Sequence, residues 1–274
     1  MAPSSVSRMI AALEQDFGTA LFERSKKGMR LTDAGVVLAR QTHRMVRDFE
    51  RVRGAIDDLQ GLRRGKATIY GAEGLVAEFL PKVLSEFTRM HPNITFAVFV
   101  GSTDRIVEAV ITDEADIGIT FNGPQRPDLS TVVEYSEPLR CLVAPSHPLS
   151  GRRSVPLDEV VNYPLALPET SFGMRRMIDD RIQKAKLSPK LMLSTNSLEL
   201  AKRYAMTGED VAFMPGFMVA DDLASGRLVG IEVSEGVFDG SRVTVCIHRD
   251  RELSYAARQM LSHLSQTFST LALK

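Results

Sequence analysis

Five short stretches of this 274-residue chain carry side chains suited to holding a small polar molecule. They are "YGAEG" (70–74), "VGSTDR" (100–105), "TFNGP" (120–124), "LPETSFG" (167–173) and "STNSLEL" (194–200). Four of them put Ser, Thr, Asn or Gly where a strand hands over to a helix, and "TFNGP" is a loop that follows a strand. A helix start offers unpaired backbone N–H groups and a partial positive charge, so it attracts carboxylates and phosphates. In α/β sheets such turns gather at the carboxyl ends of the strands, where ligands bind. Taken singly, each turn is equally a plain helix cap, and "NSLE", from Asn196 to Glu199, has capping-box spacing. Covalent chemistry has less to work with. The chain has no Gly-Lys-Ser/Thr phosphate loop, no G-x-S-x-G and no H-E-x-x-H. His43, His91, His147, His248 and His263 are scattered, and none has a Cys or His partner at metal spacing. The residue types point to binding, with no catalytic set, no cofactor and no metal.

A second chemistry sits at the front of the chain. Residues 1–66 hold 13 Lys/Arg against 8 Asp/Glu, whereas residues 67–274 hold 21 against 26. A basic head on an acidic body suits contact with a polyanion, although five charges of imbalance also arise by chance. Ser4, Ser7 and Arg8 lie in a segment whose apolar residues Val6, Met9, Ile10 and Leu13 fall on one helical face over 4–16. Ser4 or Ser5 can cap that helix and Gly18 ends it. "ALF" and "MRL" then pair as short strands around the turn "SKKG", a small wing with two positive charges at its tip.

These groups need positioning elements, and the pattern supplies them. Thr32 caps a long helix whose residues Leu38, Thr42, Met45, Phe49, Val52, Ile56 and Leu59 alternate spacings of four and three, a heptad seam. About 29 residues of helix span roughly 43 Å. So narrow a stripe is buried either against a second copy of the chain or against its own body, and "GLRRGK" reads as a hinge at its end. From Ala67 onward strands and helices alternate, which indicates α/β subdomains with largely parallel sheets. The two halves, 67–145 and 146–245, share a strand–helix order without sequence repetition. No apolar run approaches the ~18 residues of a membrane span. The two cysteines, Cys141 and Cys246, lie inside apolar runs, which excludes a disulfide framework and fits a reduced cytoplasm.

The segment "SSVSRMIAALEQDFGTALFERSKKGMRLTDAG" resembles the second half of the winged helix-turn-helix of LysR-type transcriptional regulators. The resemblance continues in "EFLPKVLSEFTRMHPNITFAVFVG", "ADIGITF", "SHPLS", "NSLELAKRYAMTGEDVAFMP" and "GRLVGIE", in order, to the end of the chain. It implies a partial winged helix-turn-helix over 1–31, a dimerising linker helix over 32–65 and an effector-binding domain over 66–274. The last resembles periplasmic binding proteins, with lobe I at 66–145 and 247–274 and lobe II at 146–246. Crossings are expected near Leu142–Pro145 and Cys246–Arg249. The implied partners are double-stranded promoter DNA, a small-molecule effector, and a second copy through the linker helix, with tetramers typical of the family.

Residue by residue, the resemblance puts Ser4, Ser7 and Arg8 on the recognition helix, where Arg suits guanine and Ser suits phosphate. Arg24, Lys26, Lys27 and Arg30 match DNA-backbone positions, although Lys26 and Lys27 equally make a solvated turn. In the effector cleft, Glu73 and Gly74 match the first turn, Ser102 and Thr103 the second, and Thr120 and Asn122 the end of the third strand. Thr170 and Ser171 face them from lobe II, with Asn196 and Pro215 lower down.

Two departures carry consequences. Glu73 stands where the family commonly has a small hydroxyl. A carboxylate there repels an anionic ligand unless it points away or is paired, so the expected effector is neutral or carries an amine. The family's first two helices normally precede "SSVSR" and are not in this sequence, which removes packing partners from Val6, Ile10 and Leu13. A misassigned start codon or a shortened gene would each produce this, and the second would leave an effector-binding dimer with impaired DNA binding.

Overall fold

A computed structural model describes residues 3–25, 28–59, 63–234 and 236–272. The chain divides into two compact units, residues 1–53 and 54–274. In the first, α1 (Pro3–Phe17) ends at Gly18, whose φ of +63° suits a residue without a Cβ. The strands β1 (Phe22–Ser25) and β2 (Gly28–Leu31) pair antiparallel, Phe22 with Leu31 and Glu23 with Arg30. Two polar side chains tie this unit together. Glu14 Oε1 accepts hydrogen bonds from the N–H groups of Leu21 (2.8 Å) and Phe22 (3.1 Å), fastening the wing to α1. Thr32 Oγ1 accepts from Gly35 N (3.0 Å) and donates to Ala20 O (2.7 Å), capping α2 (Asp33–Leu59). The glycine of "LTDAG" is required by contact: a Cβ on Gly35 would lie 2.0 Å from the carbonyl oxygen of Leu21.

The second unit is two α/β lobes. Lobe I is a five-stranded sheet, ordered β4-β3-β5-β13-β6: β3 (Gly65–Gly71), β4 (Ile94–Val100), β5 (Ile117–Phe121), β6 (Leu129–Ser136) and β13 (Arg242–His248). The first three are parallel, and β13 runs antiparallel to both β5 and β6. Lobe II contains β7 (Leu139–Val143), β8 (Ser154–Val155), β9 (Leu165–Pro168), β10 (Leu191–Thr195), β11 (Ala212–Pro215) and β12 (Val229–Val233). These form the runs β11-β7-β12-β8 and β10-β9, joined by the parallel bridge Leu165 to Val211. The first five strands of the resulting order, β10-β9-β11-β7-β12, repeat the order of lobe I, and the short β8 adds a sixth at the edge.

Helices cover these sheets: α3 (Leu80–Met90), α4 (Thr103–Ile111) and α9 (Tyr255–Ala272) in lobe I, and α5 (Leu157–Val160), α6 (Gly173–Lys184), α7 (Leu198–Ala205) and α8 (Ala220–Ala224) in lobe II. The segment "LVAEFLPKVL" (75–84) is not one continuous α-helix: a π turn, Leu75–Phe79, precedes α3. Pro81 explains the break, because it has no N–H to continue the ladder.

The strand pairing moves the crossings between lobes. β7 pairs with β11 and β12 and so belongs to lobe II, while β13 pairs with β5 and β6 and belongs to lobe I. The chain therefore crosses before Leu139 and before Arg242, not near Leu142–Pro145 and Cys246–Arg249, and the lobe boundaries shift with it. The two crossing segments are bonded to each other: Glu137 N donates to Ser241 O (3.1 Å), and the fully buried Ser241 donates its hydroxyl to Glu137 O. β6 is a strand that the residue pattern did not announce, and β3 begins at Gly65 rather than Ala67, so it takes in the last two residues of the "GLRRGK" segment.

Candidate functional site

On the first unit, Ser7, Arg8 and Arg30 are exposed, the first two on α1 and Arg30 on the wing strand opposite Glu23. Ser4 and Arg24 lie on α1 and β1. Lys26 and Lys27 lie outside the described residues. The stripe Val6, Met9, Leu13 and Phe17 is 42–58% exposed.

The cleft residues come from the carboxyl ends of β3, β4 and β5 in lobe I and from the starts of α6 and α7 in lobe II. Ser102 caps α4 by accepting from Arg105 N (3.4 Å). Next to it the buried Thr103 crosses to the other lobe, its Oγ1 accepting from Gly173 N (2.9 Å). Asp104 N donates to Ser171 O (3.2 Å), and Arg176 bridges Asp104 (2.8 Å) and the carbonyl of Thr170 (3.1 Å). Gly173 has to be glycine, since a Cβ there would lie 2.3 Å from Phe121 O. Ser102, Thr103, Thr170 and Ser171 are thus brought together as one interlobe seam.

Glu73 makes the other half of the seam. Its carboxylate reaches lobe II and accepts from Ser197 Oγ (3.2 Å) and from the backbone N–H of Leu198, the first residue of α7. The negative charge expected to face a ligand therefore rests on the positive end of a helix. Gly74 packs on Met218, and both help line a cavity of ≈220 Å³ with Glu73, Ala77, Leu198 and Lys202. Asn196 is not the cap of α7. Ser197 is, with its Oγ accepting from Leu200 N (3.2 Å), while Asn196 is exposed. Pro215 is buried at the end of β11, opposite Leu139.

Asn122, at φ +48°, exchanges two 2.9 Å bonds with the backbone of Arg242 and stays at the seam: its Nδ2 lies 2.7 Å from the sulfur of Met177 on α6, and a Cβ on Gly173 would lie 2.4 Å from its carbonyl oxygen. Thr120 goes elsewhere, buried on the face of lobe I beneath a separate cavity. Sequence reasoning missed Ser197 and the crossing pair Glu137–Ser241. The Thr-Asn-Ser run carried a usable signal for the first, because each of its residues can cap.

On α7 the buried Lys202 pairs with Glu199 of the same helix (2.7 Å) and with Asp222 of α8 (2.9 Å), and Asp222 also pairs with Arg227 (2.6 Å). Burial by itself would raise the Asp222 carboxyl, but the bonds from Lys202 and Arg227 outweigh it and hold it below its ordinary range. A carboxyl lowered by folding stabilises the fold above its unfolded pKa of about 3.9 and loses that contribution as pH falls through the folded value. Asp222→Asn is therefore expected to destabilise the protein by about 3 kcal/mol at neutral pH. The gap to the wild type should narrow below about pH 4 in denaturant titrations.

Cys141 and Cys246 are buried, and burial pushes both thiols up to about 12, so neither is a thiolate. His147 is buried with Nδ1 accepting from Leu149 N and Nε2 at the carbonyl of Glu209, a structural role. Among the described residues no helix is long and apolar enough to cross a membrane.

A helix-and-wing unit ahead of a two-lobed binding domain defines a ligand-responsive, DNA-binding regulator. The profile described as "LysR substrate binding domain" matches residues 60–269, and "Bacterial regulatory helix-turn-helix protein, lysR family" matches residues 1–36. The chain belongs to the LysR family of transcriptional regulators and is not an enzyme. It is similar to the HTH-type transcriptional regulator SsuR of Burkholderia cenocepacia, 28% identical over 258 residues, covering 93% of this chain and 83% of that protein. Its fold matches full-length CbnR complexed with its target DNA at a TM-score of 0.68 and 19% identity, over 98% of this chain and 91% of that one. The regulatory domain of CcmR from Synechocystis PCC6803, in complex with 2-PG, matches at 0.69 and 20% identity, over 76% and 99%.

Proposed function

We propose that this regulator reads promoter DNA with Ser4, Ser7 and Arg8 of α1 and grips the backbone with Arg24, Lys26, Lys27 and Arg30 of the wing. It works in the cytoplasm as a homodimer joined through α2, and two dimers assemble into the tetramer. The effector enters the seam between the lobes, where Glu73, Gly74, Ser102, Thr103, Thr170, Ser171, Ser197 and Pro215 meet. The observation that carries this reading is the bond from Glu73 to the start of α7, which joins the two lobes at a helix N-terminus. Glu73 already sits where an anion would be held, so an anionic effector has to displace it. The earlier expectation of a neutral or amine-bearing effector gives way to competition for one helix end.

DNA binding is tested by fluorescence anisotropy with a fragment of the regulator's own promoter. Affinity is expected to fall steeply with salt, because phosphate contacts release counterions. Arg8→Gln should weaken specific binding about tenfold or more while leaving binding to random DNA within about twofold, since a base contact carries specificity. Salt-insensitive or absent DNA binding, with ligand-induced thermal stabilisation intact, would instead establish an effector-binding dimer that does not engage DNA.

A further inference from the structure

We propose that lobe I carries a second small-molecule site, outside the seam between the lobes, which takes a small hydroxylated organic anion such as a sugar acid or a sugar phosphate. A cavity of ≈590 Å³ opens on the face of the lobe I sheet that carries α4. That volume lies within the roughly 300–1,000 Å³ typical of small-molecule sites. The face is fixed by packing. A Cβ on Gly118 would meet Val110 and Ile106 of α4 and the sulfur of Cys246. Thr120 lies two residues along β5 from Gly118, and Thr244 pairs with it from β13, two residues from Cys246. Side chains alternate along a strand, so Thr120, Thr244 and Cys246 share this face and form the cavity floor.

Three further observations point to a ligand. First, Thr120 is only 1% exposed, and its Oγ1 has no hydrogen-bond partner among the described residues. Buried hydroxyls are ordinarily bonded, so one left unpaired at a cavity wall is a group awaiting a partner. Second, the loop after β5 folds down over that hydroxyl. A Cβ on Gly123 would come within 2.4 Å of Thr120 Oγ1, so the closure depends on glycine. Third, the rim carries Arg126, Arg242 and Arg249 against the single carboxylate of Glu134. Arg242 spends one nitrogen on Glu134 (3.0 Å) and one on the carbonyl of Gly240 (3.5 Å), Arg126 one on Asp128 (3.1 Å), and Arg249 one on the carbonyl of Leu129 (3.1 Å). A guanidinium has five N–H donors, so each retains capacity for an acid group. Threonine hydroxyls below and guanidinium groups above match a ligand with hydroxyls at one end and a carboxylate or phosphate at the other.

The test is a methyl NMR titration of the full chain labelled at threonine, with D-gluconate and D-glucose 6-phosphate as probes and inorganic phosphate as the anion-only control. At least one organic probe is expected to shift the Thr120 and Thr244 methyls saturably below about 10 mM. Thr120→Val, which removes an unbonded hydroxyl and keeps the shape, should weaken that probe about fivefold. Arg242→Gln should weaken it about tenfold. Comparing the two probes tells a carboxylate site from a phosphate site. The proposal is overturned if neither organic probe shifts these methyls, or if the shifts fall on Thr103 and Thr170 in the seam instead. Indifference of the affinity to both substitutions, or equally tight binding of inorganic phosphate, would overturn it as well.

Discussion

Phe49→Glu is expected to turn the dimer into a monomer in sedimentation velocity and to lower promoter affinity by about a hundredfold, because two half-site contacts then no longer act as one. The argument rests on α2. Met45, Phe49, Val52 and Ile56 are 70%, 72%, 58% and 50% exposed in the single chain, and they fall on one stripe at heptad spacing. Withdrawing each such side chain from water contributes ~1.5–3 kcal/mol, so a helix that presents four in a row gains most by meeting a second copy. A glutamate at position 49 places an unpaired carboxylate in that seam, where desolvation opposes association. Phe49→Leu keeps the apolar surface and should stay dimeric. A Phe49→Glu variant that remains a dimer would place the pairing surface elsewhere on the molecule.

What could be read from residues alone followed the range of the forces involved. The helix of the first unit, its wing and α2 were legible because their signals are local: helical periodicity, a turn sequence and a capping threonine. The structure extends that reading with Glu14, whose carboxylate joins α1 to the wing across seven and eight residues. The lobe crossings were misplaced by a few residues for the opposite reason. β7 and β13 are plain apolar strands, and only their partners, remote in sequence, decide which sheet each joins. β6 escaped notice because half of it is exposed, so its alternation is diluted by Ser130, Thr131 and Glu134.

The candidate site divides the same way. Ser102 and Thr103 could be named because a helix start announces itself over four residues, and Ser197 was missed by one place because Asn196 caps nearly as well. That Thr120 turns away from the seam depends on the pleat of β5 and its pairing with β13, which no local pattern encodes. Glu73 could be picked out as an unusual residue, but its partner lies 125 positions away. The physical consequence was reversed by that contact: a charge expected to confront the ligand is instead spent on the protein's own helix.

Glu73→Lys should therefore do more damage than removal of the side chain. The substitution replaces a carboxylate bonded to Ser197 and Leu198 with an ammonium facing the same N–H groups, and the buried Lys202 lines the same small cavity. A charge near a helix N-terminus contributes 0.3–1 kcal/mol in exposed settings and up to about 2 when partly buried, so reversing its sign shifts the balance by about 1–3 kcal/mol. The bonds at Thr103–Gly173 and Asp104–Ser171 lie at other points of the seam, so the loss should be confined to the α7 end. Amide exchange reports it directly. Exchange at Leu198 is expected to accelerate at least about tenfold in Glu73→Lys and less in Glu73→Ala, with protection at Gly173 retained. Glu73→Gln can still accept from Leu198 through its amide oxygen and should keep most of the protection. If charge rather than shape holds the lobes at this point, the order of exchange rates is Lys, Ala, Gln, wild type from fastest to slowest. Equal rates for Lys and Ala would mean that the helix end does not feel the charge. A promoter-binding measurement on the same four proteins then separates two roles for the contact. A seam that holds the regulator in one state should make Glu73→Lys and Glu73→Ala shift DNA affinity in the same direction without ligand, and a contact that only stabilises lobe II should leave it unmoved.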